Sequence, residues 1–434
     1  MFDHFFAFLN KVDEIYWHIG MLMVLVPGVY FTIKTNFFQF KTFFKFTKCV
    51  RDLQECGKSN DHGVSPLRLY FASVGGMIGL GNIVGVVTAV LIGGPGALFW
   101  LWIASFSGML IKYMEIYLGI KYRQKNKDGC YDGGPMYYLG RAFKNRYIPY
   151  VMAVLLCIYG VEILQFTVIT DTLEKTFHIN RFVAIGSLLL ITFWTAIGGI
   201  KRLANICSLL MPIFIVSYVG MCLWVIFSHA DSLIPYFKVV FESAFTGHAA
   251  VGCFAGSSFI IAAQQGIARG VYSGDIGIGF DSTIQAATKS HHPERQARMA
   301  IFSLATDSLV CTMSILVVLV TDLWKTSTCM LPSEYVATAL SMYIKHADIF
   351  MGLLFFLAGF TTIIAYYSVG LKCARFVSEK YGPYVYAGYA LIAFTFFSFF
   401  DQTKAQLVMS ITSGLLLTLN VTGMFKLRKE IKFS

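Results

Sequence analysis

A glutamate and a glutamine three residues apart, Glu162 and Gln165, stand inside an apolar run from 147 to 171 whose only other charge is its last residue, Asp171. On a helix this spacing puts both side chains on one face. A carboxylate buried in such a run fits three roles: it carries a proton, it binds an ammonium of a ligand, or it pairs silently with a polar neighbour. A second candidate is backbone rather than side chain. Gly75, Gly76, Gly79, Gly81 and Gly85 fall within eleven residues, each costing up to about 1 kcal/mol of helix propensity. Such a run serves close helix packing or a helix interrupted so that its N–H and C=O groups face a ligand. Lys112 and Glu115, also three apart, suggest a structural ion pair. Asp307, between Thr306 and Ser308, marks a polar network that is either functional or structural.

The elements that must hold these groups are membrane helices. Hydrophobic residues make up 56% of the 434 residues and charged residues only 14%, against about 25% charged in an ordinary globular protein. Leu69 to Ile111 contains no Asp, Glu, Lys or Arg over 43 residues, and about 20 suffice for a span. This sets aside soluble enzymes, nucleic-acid binders and secreted disulfide scaffolds. The ten cysteines include no CxxC pair and read as small core residues. The acidic, aromatic start of the chain predicts no cleaved leader.

Apolar runs predict an all-α polytopic protein with about 11 transmembrane helices: 15–33, 69–92, 96–118, 147–171, 182–200, 204–228, 245–268, 299–323, 348–371, 384–400 and 404–425. The segment 332–346 is too short and polar to cross and is expected on the surface. Loops on one side hold 27 of the 35 Lys and Arg residues. By the positive-inside rule this puts the N-terminus outside and the C-terminus in the cytoplasm. The net charge of +11 is then a matter of topology and anionic lipid, with no nucleic acid needed.

The seventh span, 245–268, repeats the small-residue cluster of the second, at Gly252, Ala255, Gly256, Ser257 and Ser258. Two weakened spans five apart run in opposite directions, which points to an inverted repeat with a midplane site. The expected layout is a single transmembrane domain over 1–434. Within it lie an extra N-terminal span at 15–33, a first five-helix repeat at 69–228, an inverted second repeat at 245–425 and a basic tail at 426–434.

Five stretches carry a resemblance: GLGNIVGVVTAVLIGGPGALFWLW (79–102), DGGPMYYL (132–139), GGIKRLA (198–204), SAFTGHAAVGCFAG (243–256) and GIARGVYSGDIGIG (266–279). In order along the chain they resemble the alanine or glycine:cation symporter family. The resemblance implies a leucine-transporter-like fold of two inverted five-helix repeats, and cation-driven uptake of small amino acids, usually with sodium. It implies that N–H groups around Gly79, Leu80 and Gly81 receive the substrate carboxylate, since an unwound helix start offers unpaired donors and a positive dipole end. Asn82 would face substrate or ion, or cap the second half-helix. Gln165 would add a polar contact, and Phe254 to Ser257, with Gly256, would form the opposite wall. For sodium it implies an oxygen cage of Thr361, Thr362 and carbonyls such as those of Gly76 and Ile78. The alternative for these threonines is a bond to the carbonyl three or four residues back.

The chain departs from the family pattern at Leu80, where the family usually carries Thr, at Tyr366, where it often carries Trp, and at Gly274-Asp275-Ile276, where it has Asn-Glu-Ala. Glu162 stands where relatives usually have a neutral residue. These changes leave open proton coupling or a diamino acid substrate on the same scaffold. A transporter-like amino-acid sensor is a further alternative. The expected partners are a small amino acid and the lipid bilayer. No organic cofactor, ATP-binding subunit or catalytic constellation is expected: there is no GxxxxGK[ST] and no HExxH. The expected location is the inner, cytoplasmic membrane of a prokaryote.

Overall fold

The computed structural model describes residues 2–57, 63–126, 130–246, 259–326 and 330–433. The chain is almost entirely helical. Its membrane-embedded helices are α1 (Phe2–Lys34), α2 (Pro66–Met77), α3 (Val84–Gly93), α4 (Ala97–Lys121), α5 (Ile148–Tyr159), α6 (Ile163–Phe177) and α7 (Arg181–Ile197). They continue with α8 (Gly199–Phe227), α9 (Phe259–Gly274), α10 (Phe280–Gln285), α11 (Met299–Val320), α12 (Ala347–Val377), α13 (Gly382–Phe397) and α14 (Gln402–Lys426). Among the described residues, seven helical segments are each long and apolar enough to cross a membrane. The pair α2–α3 makes a further span bent by 55°, and α7 and α13 are shorter apolar helices.

In hydrocarbon every backbone polar group needs a partner inside the protein, so the places where helices stop are informative. The glycine run breaks the second span. Ile78 and Gly79 are extended, and a 3-10 turn over Leu80–Asn82 leads into α3. Gly76 is dictated by packing, because a Cβ there would stand 2.1 Å from the Phe280 ring of α10. The second interruption lies between α9 and α10. Asp275, Gly277 and Gly279 all have positive φ, a backbone that glycine adopts without strain. Two of its carbonyls are satisfied by buried side chains: Lys112 Nζ donates to Gly274 O at 2.6 Å and Asn420 Nδ2 to Gly277 O at 2.9 Å.

Three expectations shift. The helix of the seventh span runs 259–274, past the expected end at 268, and a further interruption follows at 275–279. The small-residue cluster expected to break it lies at 247–258, outside the described residues. The fourth span is not one regular helix either. α5 ends at Tyr159, and Glu162 caps α6 with φ 48°. That left-handed backbone costs a non-glycine residue roughly 1–3 kcal/mol and persists only where its surroundings enforce it. The segment after 331 forms the helix Pro332–Ser341, whose Tyr335, Val336, Ala339 and Leu340 are buried rather than lying on the surface.

Outside the membrane helices, DGGP folds as a turn into the helix Pro135–Phe143, with Pro135 in its first turn. Asp132 pairs with Lys372 at 2.8 Å. Burial raises the Asp132 carboxyl, but the Lys372 ammonium and the Asn126 amide outweigh it, and the group titrates below its usual range.

Candidate functional site

The three interruptions meet. Gln165, in the first turn of α6, reaches the α2–α3 break and its Oε1 accepts the Leu80 N–H at 2.8 Å. Asn82 Oδ1 accepts the Gly79 N–H at 3.1 Å. The two donors that suit a carboxylate are thus oriented side by side and held by neutral amide oxygens. A carboxylate makes the stronger, charge-assisted bond and displaces such acceptors. Gly79 and Gly81 line this spot closely. A Cβ on Gly79 would stand 2.5 Å from Thr362 Oγ1, and one on Gly81 would stand 2.8 Å from the Tyr272 ring.

Gly79→Ala is therefore expected to abolish amino-acid uptake while the protein still reaches the membrane. Uptake by vesicles, normalised to protein in the membrane, checks this. Uptake above one third of wild type would show that close approach at Gly79 is not required.

Facing the break, α9 and the 275–279 stretch supply Tyr272 and Asp275. Tyr272 donates its hydroxyl to Glu162 Oε2 at 3.1 Å, and the Tyr366 hydroxyl donates to Asp275. Tyr366 stacks on Phe280 with centroids 4.1 Å apart and meets the edge of Tyr159 at 5.3 Å. Beneath Asn82, its Nδ2 donates to Asp307 and, at 3.4 Å, to Cys311 Sγ. Ser273 also donates to Asp307 at 3.4 Å, so Asp307 belongs to a network running directly to the break.

The threonine pair divides. Thr361 bonds back to Leu357 O and Ala358 O, at 3.0 and 2.9 Å. Thr362 bonds to Ala358 O at 3.0 Å and also crosses to Gly75 O of α2 at 3.3 Å. Gly76 packs on Phe280, and Ile78 is the extended, buried residue that ends α2. Phe254, Gly256 and Ser257 lie outside the described residues. In the described structure, Tyr272 and Asp275 form the wall facing the break.

Lys112 is not paired with Glu115 as its spacing suggests. It forms an ion pair with Asp281 of α10 at 2.7 Å, with both side chains fully buried, and Ser73 of α2 donates to the same carboxylate. Glu115 instead accepts the Ser282 N–H and hydroxyl, both at 3.2 Å, at the start of α10. Asp281, Ser273 and Tyr272 are the residues sequence reasoning missed. The signal was present in GDIGIG, three glycines in six residues, as dense a cluster as the first break. Two cavities lie toward opposite ends of α12. One of about 220 Å³ is lined by Asp171, Lys175, Glu334 and Asp348, and one of about 580 Å³ by Gly198, Gly199, Tyr367 and Lys372.

The model of the sodium:alanine symporter family matches residues 3–433. An uncharacterized transporter of Haemophilus influenzae is 30% identical over 98% of this chain and 94% of its own length. The sodium/alanine symporter AgcS of Methanococcus maripaludis is 28% identical over 92% and 89%. The probable sodium/glutamine symporter GlnT of Bacillus subtilis is 28% identical over 96% and 87%. Among solved structures, MhsT in complex with L-phenylalanine superimposes with a TM-score of 0.59 at 15% identity, covering 83% of this chain and 90% of MhsT. A manganese transporter of Eremococcus coleocola gives 0.53 at 15% identity, covering 82% and 78%. These likenesses establish a leucine-transporter-like fold, and the family match makes the chain a multi-span membrane transporter: it belongs to the sodium:alanine symporter family.

Proposed function

We propose that the chain is a secondary active symporter that couples inward flow of sodium to uptake of a small amino acid, such as alanine or glycine, by alternating access. The observation that carries this reading is the pair of Gly79 and Leu80 N–H groups, held side by side in a helix break by the Asn82 and Gln165 amides. The substrate carboxylate takes their place there. The relatives' names, sodium/alanine and probable sodium/glutamine symporter, support the ion and the amino-acid class. In this reading two five-helix repeats follow the extra first helix, and the lysine and arginine distribution supports an N-terminus outside the cytoplasmic membrane of a prokaryote.

Sodium sits where α12 meets the α2 break, with Thr362 and the carbonyls around Gly75, Gly76 and Ile78 as oxygen ligands. Ion binding there fixes the geometry of the break and so raises substrate affinity, an effect that linkage makes reciprocal. Thr362→Ala is expected to raise the sodium concentration for half-maximal uptake about tenfold, the value of one ligand worth about 1.4 kcal/mol. Thr361→Ala is expected to change it less than threefold, because it is the Thr362 hydroxyl that crosses to the Gly75 carbonyl of α2, while that of Thr361 bonds carbonyls of its own helix. Sodium titration of uptake in proteoliposomes checks both; equal effects would move the ion elsewhere.

A further inference from the structure

We infer that the preferred substrate carries a second cationic nitrogen, held by Glu162 with Asp275, so that among small amino acids a short diamino acid is favoured over alanine or glycine. The inference rests on the symporter reading above and names the substrate class of that same site.

Charge comes first. Five carboxylates are buried around the breaks, Glu115, Glu162, Asp275, Asp281 and Asp307. Among the described residues, the ammonium near them is that of Lys112, which pairs with Asp281, donates to the Gly274 carbonyl and also attracts Asp275, so that Glu162 is the carboxylate left without a cation. Glu162 makes no ion pair among the described residues; its contacts are the Tyr272 hydroxyl and the Gln165 amide. Asp275 lies close enough to interact with it electrostatically, and one Asp275 oxygen has no hydrogen-bond partner. An unpaired buried carboxylate is expensive unless it meets a cation or a proton.

Geometry favours an organic cation. Tyr159, Tyr272 and Tyr366 surround the two carboxylates. Tyr159 meets the other two rings at 6.3 and 5.3 Å, and aromatic rings attract ammonium groups. No group of three or more His, Cys, Asp or Glu able to hold a metal ion occurs among the described residues. The backbone also commits Glu162 to this position. It caps α6 in a left-handed conformation, three residues before the Gln165 that marks the carboxylate position. Three residues rise about 4.5 Å along a helix, a span suited to a short chain between the substrate's carboxylate and its distal nitrogen.

The test compares 2,4-diaminobutyrate with norvaline, which has a methyl group where the former has its distal ammonium. The expected result is that wild-type protein in proteoliposomes, under a sodium gradient, accumulates 2,4-diaminobutyrate with at least tenfold preference over norvaline. Glu162→Gln is expected to remove most of that preference. Alanine uptake that norvaline inhibits as well as 2,4-diaminobutyrate does would overturn the inference and leave the symporter reading standing. Absence of sodium-driven uptake of any amino acid would overturn both. The wild-type ratio decides the matter even if the Glu162→Gln protein fails to fold.

Discussion

Replacing Asn82 with leucine is expected to lower amino-acid uptake at least thirtyfold. Leucine nearly matches asparagine in volume, so the loss reports chemistry rather than a void. Asn82 is the node of the site: its Oδ1 holds the Gly79 N–H and its Nδ2 donates to Asp307. Leucine leaves the buried Asp307 carboxylate short of a partner, a loss of about 1–3 kcal/mol, and removes the acceptor that orients the Gly79 N–H before substrate arrives. Thirtyfold corresponds to about 2 kcal/mol, the middle of that range. Asn82→Asp is expected to be as inactive, because it keeps the acceptor but sets a second carboxylate against Asp307. Initial uptake rates at saturating sodium, normalised to reconstituted protein, measure both. A leucine variant within threefold of wild type would remove Asn82 from the binding machinery.

The second large effect concerns stability. Lys112→Met is expected to destabilise the folded protein by about 3–5 kcal/mol, because it strands the Asp281 carboxylate in a fully buried position. Asp281 also receives the Ser73 hydroxyl, so this ion pair fastens α10 to both α2 and α4. The double variant Lys112→Met/Asp281→Asn removes both charges and is expected to recover at least half of the loss, as coupled neighbours do. Thermal unfolding in detergent, followed by tryptophan fluorescence, measures the cycle. Additive losses would show that the two groups are not coupled. Lys112 is thus a fastening for the second half-helix, which its spacing from Glu115 alone does not reveal.

Much of this was legible in the residues. Charge-free runs identify most membrane helices, since hydrocarbon tolerates little else. The glycines at 75–85 place the first break, where Gln165 Oε1 accepts the Leu80 N–H. The second break was harder to see because Asp275 and Arg269 interrupt the apolar pattern there, while 245–268 reads as a cleaner span. The glycines of GDIGIG, which lie beyond that run, mark the interruption at 275–279. Glu162 shows a different limit. Spacing on a regular helix puts it beside Gln165, and the structure keeps them adjacent, but only by ending one helix and starting another at Glu162. Nothing local in VEILQ signals that interruption. It depends on Tyr272, 110 residues away in sequence, and pairings of that range are set by the assembled bundle.

The most direct test of the account is uptake of labelled alanine and 2,4-diaminobutyrate into proteoliposomes, driven by an imposed inward sodium gradient. The account predicts accumulation above the external concentration that collapses when an ionophore dissipates the gradient and is lost in the Asn82→Leu protein. Binding of either amino acid to the purified protein, without accumulation under a sodium or a proton gradient, would contradict it. That outcome would make the chain an amino-acid sensor on a transporter scaffold.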